Sequence, residues 1–126
     1  TVSLELADEA VHGLAEKTGS VILMTGESDL VFDKSDKFEI GGGSPLMKKL
    51  TGSGCMYSAF IATRLAKYSK EPVVNVVRKV AADYKLNTVR AIKLMKERGT
   101  IGTASFRQCL IDAMSIATLG EIFDEI

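Results

Sequence analysis

The unbroken apolar run Val21-Ile22-Leu23-Met24 constrains this chain more than any other stretch. A strand with one wet face alternates apolar and polar residues, whereas a strand covered on both faces reads as a continuous apolar run. The run therefore predicts an interior strand of the parallel kind, fed by a preceding helix. Such a strand needs a neighbour along each edge. The only further sheet in the sequence is a hairpin, with Asp29 to Asp33 and Lys37 to Ile40 flanking the polar turn Lys34-Ser35-Asp36. The sheet read from these residues is incomplete.

The remaining pattern is helical. From about Ala7 to Lys17, Ala10, Val11, Leu14 and Ala15 recur at helical spacing, and Asp8 and Glu9 fall in the first turn, where the helix dipole favours acids. Thr18-Gly19-Ser20 closes this helix as glycine commonly does. After the loop Gly41-Gly42-Gly43-Ser44-Pro45, a broadly apolar helix from Cys55 to about Tyr68 carries Met56, Phe60, Ile61 and Leu65 and has few positions that want water. Pro72 suits the first turn of the next helix. Its stripe of Val73, Val76, Val77, Val80 and Tyr84 continues through Val89, Ile92 and Met95, with Asn87-Thr88 predicting a kink or a break. A last helix, from about Ser105, sets Phe106, Leu110, Ala113, Met114 and Ala117 on one face. This order suits an α/β layer architecture in one domain. A chain of 126 residues buries roughly two-thirds of its unfolded surface on folding.

Charge and cysteine usage narrow the function. Sixteen basic and 16 acidic residues are spread along the chain, which leaves no electrostatic footprint for nucleic acid and no polybasic membrane patch. The apolar runs are too short to span a bilayer, and no basic region precedes a hydrophobic stretch at the N-terminus, so neither a membrane span nor a signal peptide is expected. The first residue is Thr1, and the missing initiator methionine fits a chain trimmed upstream. Cys55 and Cys109, the two cysteines, lie far apart and outside any C-x-x-C or histidine cluster. That speaks against zinc and a disulfide framework and predicts a reducing, cytoplasmic compartment. His12, the single histidine, falls in a polar helix and reads as a surface residue.

The stretch Thr51-Gly52-Ser53-Gly54-Cys55 stands at the mouth of a helix. The first donors of a helix have no internal partner, and the positive end of its dipole points the same way. Glycine lets the backbone approach a phosphate and tolerates positive φ. The turn can hold an oxyanion or serve as a plain glycine turn, and spacing alone leaves both open. It is neither a Walker A loop nor G-x-G-x-x-G, because Tyr57 takes the place of the third glycine. Cys55 is correspondingly either an exposed proton acceptor or nucleophile, or a small hydrophobe at the helix start. Cys109 falls on the apolar stripe of the last helix and reads as packing.

Taken together, four stretches carry a resemblance: Met24-Thr25-Gly26-Glu27-Ser28-Asp29, Gly43-Ser44-Pro45-Leu46-Met47, Thr51-Gly52-Ser53-Gly54-Cys55-Met56, and Gly99-Thr100-Ile101-Gly102-Thr103-Ala104-Ser105-Phe106. In these motifs and their order the chain resembles the hydroxyethylthiazole kinases, a branch of the ribokinase-like superfamily. The resemblance implies a ribokinase-like three-layer αβα fold, of which this chain holds the C-terminal half: a parallel strand, a β-hairpin and several helices. It implies ATP-dependent phosphorylation of the hydroxyl of 4-methyl-5-(2-hydroxyethyl)thiazole in thiamine biosynthesis and salvage, with Mg²⁺ and a homotrimeric assembly.

Where most of the superfamily has an aspartate base, the thiazole kinases have cysteine, so the resemblance makes Cys55 the catalytic residue facing the hydroxyl. Gly52, Ser53, Gly54 and Cys55 would form the anion hole for the γ-phosphoryl group. Gly52 would also approach the thiazole, and Thr25 would contact the nucleotide. The Mg²⁺ ligands are expected in the absent first half and none in this chain, with Glu27 and Asp29 read as turn and hairpin residues. The stretch Gly99 to Phe106 departs from the family in lacking a proline. By itself the chain is expected to bind nucleotide poorly and to be inactive. Two other readings compete: a hydroxymethylpyrimidine-type kinase of the same superfamily, and a noncatalytic interaction module that completes its sheet with another chain.

Overall fold

Local chemistry builds the hairpin first. Strand β2 (Asp29–Phe32) pairs antiparallel with β3 (Lys37–Ile40), in register Asp29↔Ile40 through Phe32↔Lys37. In the turn between them Asp33 Oδ1 accepts the N–H groups of Ser35 at 2.8 Å and Asp36 at 2.6 Å, and the Asp33 N–H donates to Asp36 O at 3.0 Å. An aspartate side chain that satisfies the amides two and three residues on is the usual chemistry of such a turn. Both strands lie within a residue of the expected bounds.

The computed structural model describes residues 4–124. Ahead of the hairpin come helix α1 (Leu4–Thr18) and strand β1 (Ile22–Met24). After it follow a 3₁₀ turn (Pro45–Lys49), α2 (Ser53–Lys67), α3 (Val73–Glu97) and α4 (Thr103–Asp124). The α/β reading holds. Strand β1 pairs antiparallel with β2, with Leu23 opposite Val31, and the three-stranded sheet runs β1-β2-β3. The parallel neighbour expected for β1 is absent among the described residues, and all three of its side chains are half-buried rather than covered on both faces. β1 is an edge strand of this sheet, not an interior one.

The chain forms two compact units: one holds the chain up to Gly41 together with Ala59–Ala82, the other holds Gly42–Ser58 and the chain from Asp83 onward. In the first, Ala15, Val31 and Phe32 are fully buried, His12 meets the Phe32 ring edge-on at 6.1 Å, and Lys37 pairs with Asp8. His12 is therefore half-buried against the hairpin rather than freely exposed. Gly19, at φ +68°, ends α1 and returns its N–H to Ala15 O at 2.9 Å, a left-handed cap that favours glycine. The Arg78 guanidinium lies 3.8 Å from the centre of the Phe38 ring. The second unit buries Leu50, Tyr57, Tyr84, Met95, Phe106, Cys109 and Leu110. The side chain of Ala117, assigned to the same face of α4 as Phe106, lies outside the described residues.

Three helical expectations need correction. Helix α3 runs unbroken through Asn87 and Thr88, because Thr88 Oγ1 donates to Lys85 O at 2.6 Å and Asn87 Oδ1 accepts from Arg90 at 3.2 Å. The polar pair is satisfied locally and the helix keeps its path. Its buried line advances through Tyr84, Thr88, Ala91 and Met95, steps of four, three and four, which leaves Val89 exposed. Pro72 opens α3 as expected, its carbonyl taking the Asn75 and Val76 N–H groups. Finally, α2 is apolar but little covered: Tyr57 is its buried residue, while Phe60, Ile61 and Leu65 are half-buried.

Candidate functional site

Helix α2 begins at Ser53 because Gly52 turns the chain. Gly52 adopts φ +85°, and its carbonyl accepts the Met56 N–H at 3.1 Å, the first bond of the helix. A side chain at that φ is strained. Gly54 is different: it has no positive φ, and a Cβ built there meets nothing within 4 Å. Packing does not require glycine at 54.

Ser53, Gly54 and Cys55 thus occupy the first turn of α2, and their N–H groups find no partner among the described residues. Gly54 and Cys55 are exposed and Ser53 is half-buried. Three aligned donors, the positive helix end and solvent access converge on one turn. Such a turn is the kind of helix start at which anions bind.

The predicted residues Gly52, Ser53, Gly54 and Cys55 are contiguous in this turn, with the Cys55 thiol exposed. Thr25 follows β1 in the other unit and is exposed. Beside it, Asp29 is buried and its Oδ1 accepts the Gly26 N–H at 3.0 Å, which fits the reading of Asp29 as a turn and hairpin residue. Cys109 is buried, as expected of a packing residue. Among the described residues no three His, Cys, Asp or Glu side chains converge to hold a metal ion. A cavity of about 440 Å³ in the first unit is lined by Ile40, Glu71, Asn75, Arg78, Lys79 and Ala82, and it includes none of the predicted site residues.

Two residues escaped the sequence reading. Tyr84, seen there only as part of an apolar stripe, donates its hydroxyl to Ser53 O at 2.9 Å. Its ring stacks on that of Tyr57 with centroids 4.1 Å apart and planes 6° from parallel. The signal available in the sequence was Tyr57 itself, an aromatic residue where a dinucleotide loop would have its third glycine. Upstream in the same unit, Gly43 lies at φ +88°, and a Cβ there would meet Lys85 at 3.4 Å and Thr88 at 3.5 Å. Those distances are ordinary contacts, so it is the positive φ rather than crowding that favours glycine here.

A small antiparallel sheet with helices, one of them headed by an open glycine turn, defines an α/β protein. The sequence model of the hydroxyethylthiazole kinase family matches residues 2–119, and the chain belongs to that family. It is 34% identical over 103 residues to the hydroxyethylthiazole kinase of Leptospira interrogans, covering 82% of this chain and 36% of that protein. With the hydroxyethylthiazole kinase of Nitratidesulfovibrio vulgaris it shares 30% identity over 133 residues, covering 98% of this chain and 45% of the relative. The solved structure of a hydroxyethylthiazole kinase protein from Pyrococcus horikoshii superposes with a TM-score of 0.60 at 25% identity, over 85% of this chain and 41% of that one. The chain thus spans less than half the length of these relatives. No helix among the described residues is long and apolar enough to cross a membrane.

Proposed function

We propose that this chain is the anion-hole part of an ATP-dependent kinase that phosphorylates the hydroxyl of 4-methyl-5-(2-hydroxyethyl)thiazole in thiamine biosynthesis or salvage. The observation that carries the reading is the open first turn of α2, with unpartnered N–H groups at Ser53, Gly54 and Cys55 beside an exposed thiol. Family membership supplies the reaction class, and the names of the relatives supply the substrate.

In this reading the amides take the oxygens of the transferring γ-phosphoryl group. Phosphoryl transfer asks a protein mainly for positioning and charge stabilisation, which fixed donors in a preformed turn provide. Gly52 and Gly54 keep side chains out of the approach, Gly52 borders the thiazole, and Cys55 faces the substrate hydroxyl. The P–O bond to the leaving ADP breaks, a P–O bond to the alcohol oxygen forms, and Cys55 is the side chain placed to accept the hydroxyl proton. Thr25 contacts the nucleotide. Mg²⁺, when bound with ATP, neutralises phosphate charge. In this reading its ligands come from the part of the kinase domain upstream of this chain.

The chain acts as the C-terminal part of one ribokinase-like kinase domain, in a homotrimer. Supporting this are the second edge of β1, which has no strand beside it among the described residues, and large exposed apolar side chains on α1, with Leu6 60% and Leu14 51% accessible. The chain's share of its relatives' length is consistent with the same reading.

The experiment joins this chain to the upstream half of a relative by co-expression and assays phosphorylation of the thiazole alcohol, with hydroxymethylpyrimidine in direct competition. The reading expects the thiazole to be preferred and Cys55→Ala to lose at least about 100-fold in kcat, the scale of a lost general base. Wild-type turnover in Cys55→Ala would remove the thiol from the chemistry, and preference for the pyrimidine would replace the substrate.

A further inference from the structure

The Tyr84 hydroxyl reaches a particular atom. Its acceptor, Ser53 O, belongs to the same planar peptide group as the Gly54 N–H, and Gly54 is the middle of the three open donors. Helix geometry already gives that carbonyl the Tyr57 N–H, so the Tyr84 hydroxyl occupies its second lone pair. In a helix the carbonyl points toward the C-terminal end and the N–H toward the N-terminal end. A donor on the carbonyl side therefore polarises the N–H on the opposite, open side, because hydrogen bonds in series strengthen one another.

The hydroxyl is also held in place. Tyr84 is 3% and Tyr57 5% accessible, and their rings are stacked face to face at 4.1 Å, so the ring cannot swing away without opening that packing. Tyr84 stands 31 residues from Ser53 in the chain. A long-range bond to the first turn of a helix, where fraying is easiest, fixes a turn that its own sequence leaves loose.

We propose that Tyr84 is a positioning residue for the anion hole: its hydroxyl fixes and polarises the Ser53–Gly54 peptide group, so that the Gly54 N–H is presented to a phosphoryl oxygen. The function of this device rests on the kinase reading of the turn, whereas the hydrogen bond itself does not. Neither tyrosine touches the reacting atoms in this scheme.

The test uses this chain, isotope-labelled and co-expressed with the upstream half of a relative, and its Tyr84→Phe variant, which keeps the stacked ring and removes one hydroxyl. Circular dichroism first establishes that helix content is unchanged. Residue-resolved NMR then follows the Ser53 carbonyl carbon and the Ser53, Gly54 and Cys55 amides, with inorganic tripolyphosphate titrated as a mimic of a nucleotide's phosphate tail. The expected result is a displaced Ser53 carbonyl resonance, a Gly54 amide shifted toward weaker hydrogen bonding, and an apparent tripolyphosphate affinity reduced about two- to threefold, because the Gly54 donor is kept and only its polarisation and placement are lost. An unmoved Ser53 carbonyl, with equal tripolyphosphate affinity in both proteins, overturns the proposal. A moved carbonyl with no tripolyphosphate response in either protein supports the Tyr84 clamp and sinks the phosphate reading of the turn instead.

Discussion

Two tight turns in this molecule are built from similar small polar residues and end up in opposite states. In the hairpin turn, Asp33 turns its carboxylate inward onto the N–H groups of Ser35 and Asp36. At the head of α2, Gly52, Ser53 and Gly54 supply no carboxylate, and the amides of Ser53, Gly54 and Cys55 stay open among the described residues. The first turn answers its own donors and is complete as structure. The second concentrates unanswered donors at a positive helix end, which makes sense for a surface whose acceptor arrives with a ligand. The difference lies in one carboxylate.

The largest effect that breaks the contrast is at Gly52. Gly52→Ala places a Cβ at φ +85°, costing about 1–2 kcal/mol, and displaces the amides that follow. Chemical denaturation should register the loss, and tripolyphosphate should no longer shift the Ser53, Gly54 and Cys55 resonances. An unchanged midpoint with an unchanged response would mean that the turn does not depend on glycine at this position.

Gly54 sharpens the comparison because its glycine has no structural reason. A Cβ at Gly54, like one at Gly13 in α1, meets nothing within 4 Å. Replacing either by alanine inside a helix should stabilise the chain by about 0.5–1 kcal/mol. Only Gly54→Ala should weaken tripolyphosphate binding, by roughly tenfold if a charge-assisted bond is lost. Equal binding in Gly13→Ala and Gly54→Ala would assign both glycines to the same neutral role.

The smallest effect belongs to the satisfied turn. The backbone N–H groups of Ser35 and, next, Asp36 hold the Asp33 carboxyl below its ordinary value. Its folded value lies under its unfolded one, so the carboxylate stabilises the fold above the ordinary aspartate value of about 3.9. That contribution fades as pH falls through the lowered folded value. The stability difference between wild type and Asp33→Asn should be constant from about pH 7 to 5 and shrink below about pH 4. A difference that grows with acid would contradict the hydrogen-bond assignment.

How much of this was legible in the sequence follows from the range of the interactions. The hairpin and the cap at Gly19 are decided by residues within a few positions, and their bounds read correctly. The open donors of α2 follow from helix geometry once Gly52 and Gly54 mark its start. Thr88 and Asn87 misled as a break because their partners, Lys85 O and Arg90, are themselves helical neighbours. A hydroxyl can interrupt a helix or be absorbed by it, and composition does not separate the two. Val89 fits an apolar spacing, yet after Tyr84 the helix turned Thr88 and Ala91 inward instead. The Tyr84 bond to Ser53 has no local signature, since it joins residues 31 apart.

The central claim is that the first turn of α2 receives phosphoryl oxygens on its backbone amides. The direct measurement is a residue-resolved amide titration with tripolyphosphate of the wild-type chain, isotope-labelled and co-expressed with the upstream half of a relative, reading both turns in one spectrum. The account predicts saturable shifts at Ser53, Gly54 and Cys55 while Ser35 and Asp36, already bonded to Asp33, stay fixed. Shifts at neither turn, or equal shifts at both, would contradict it.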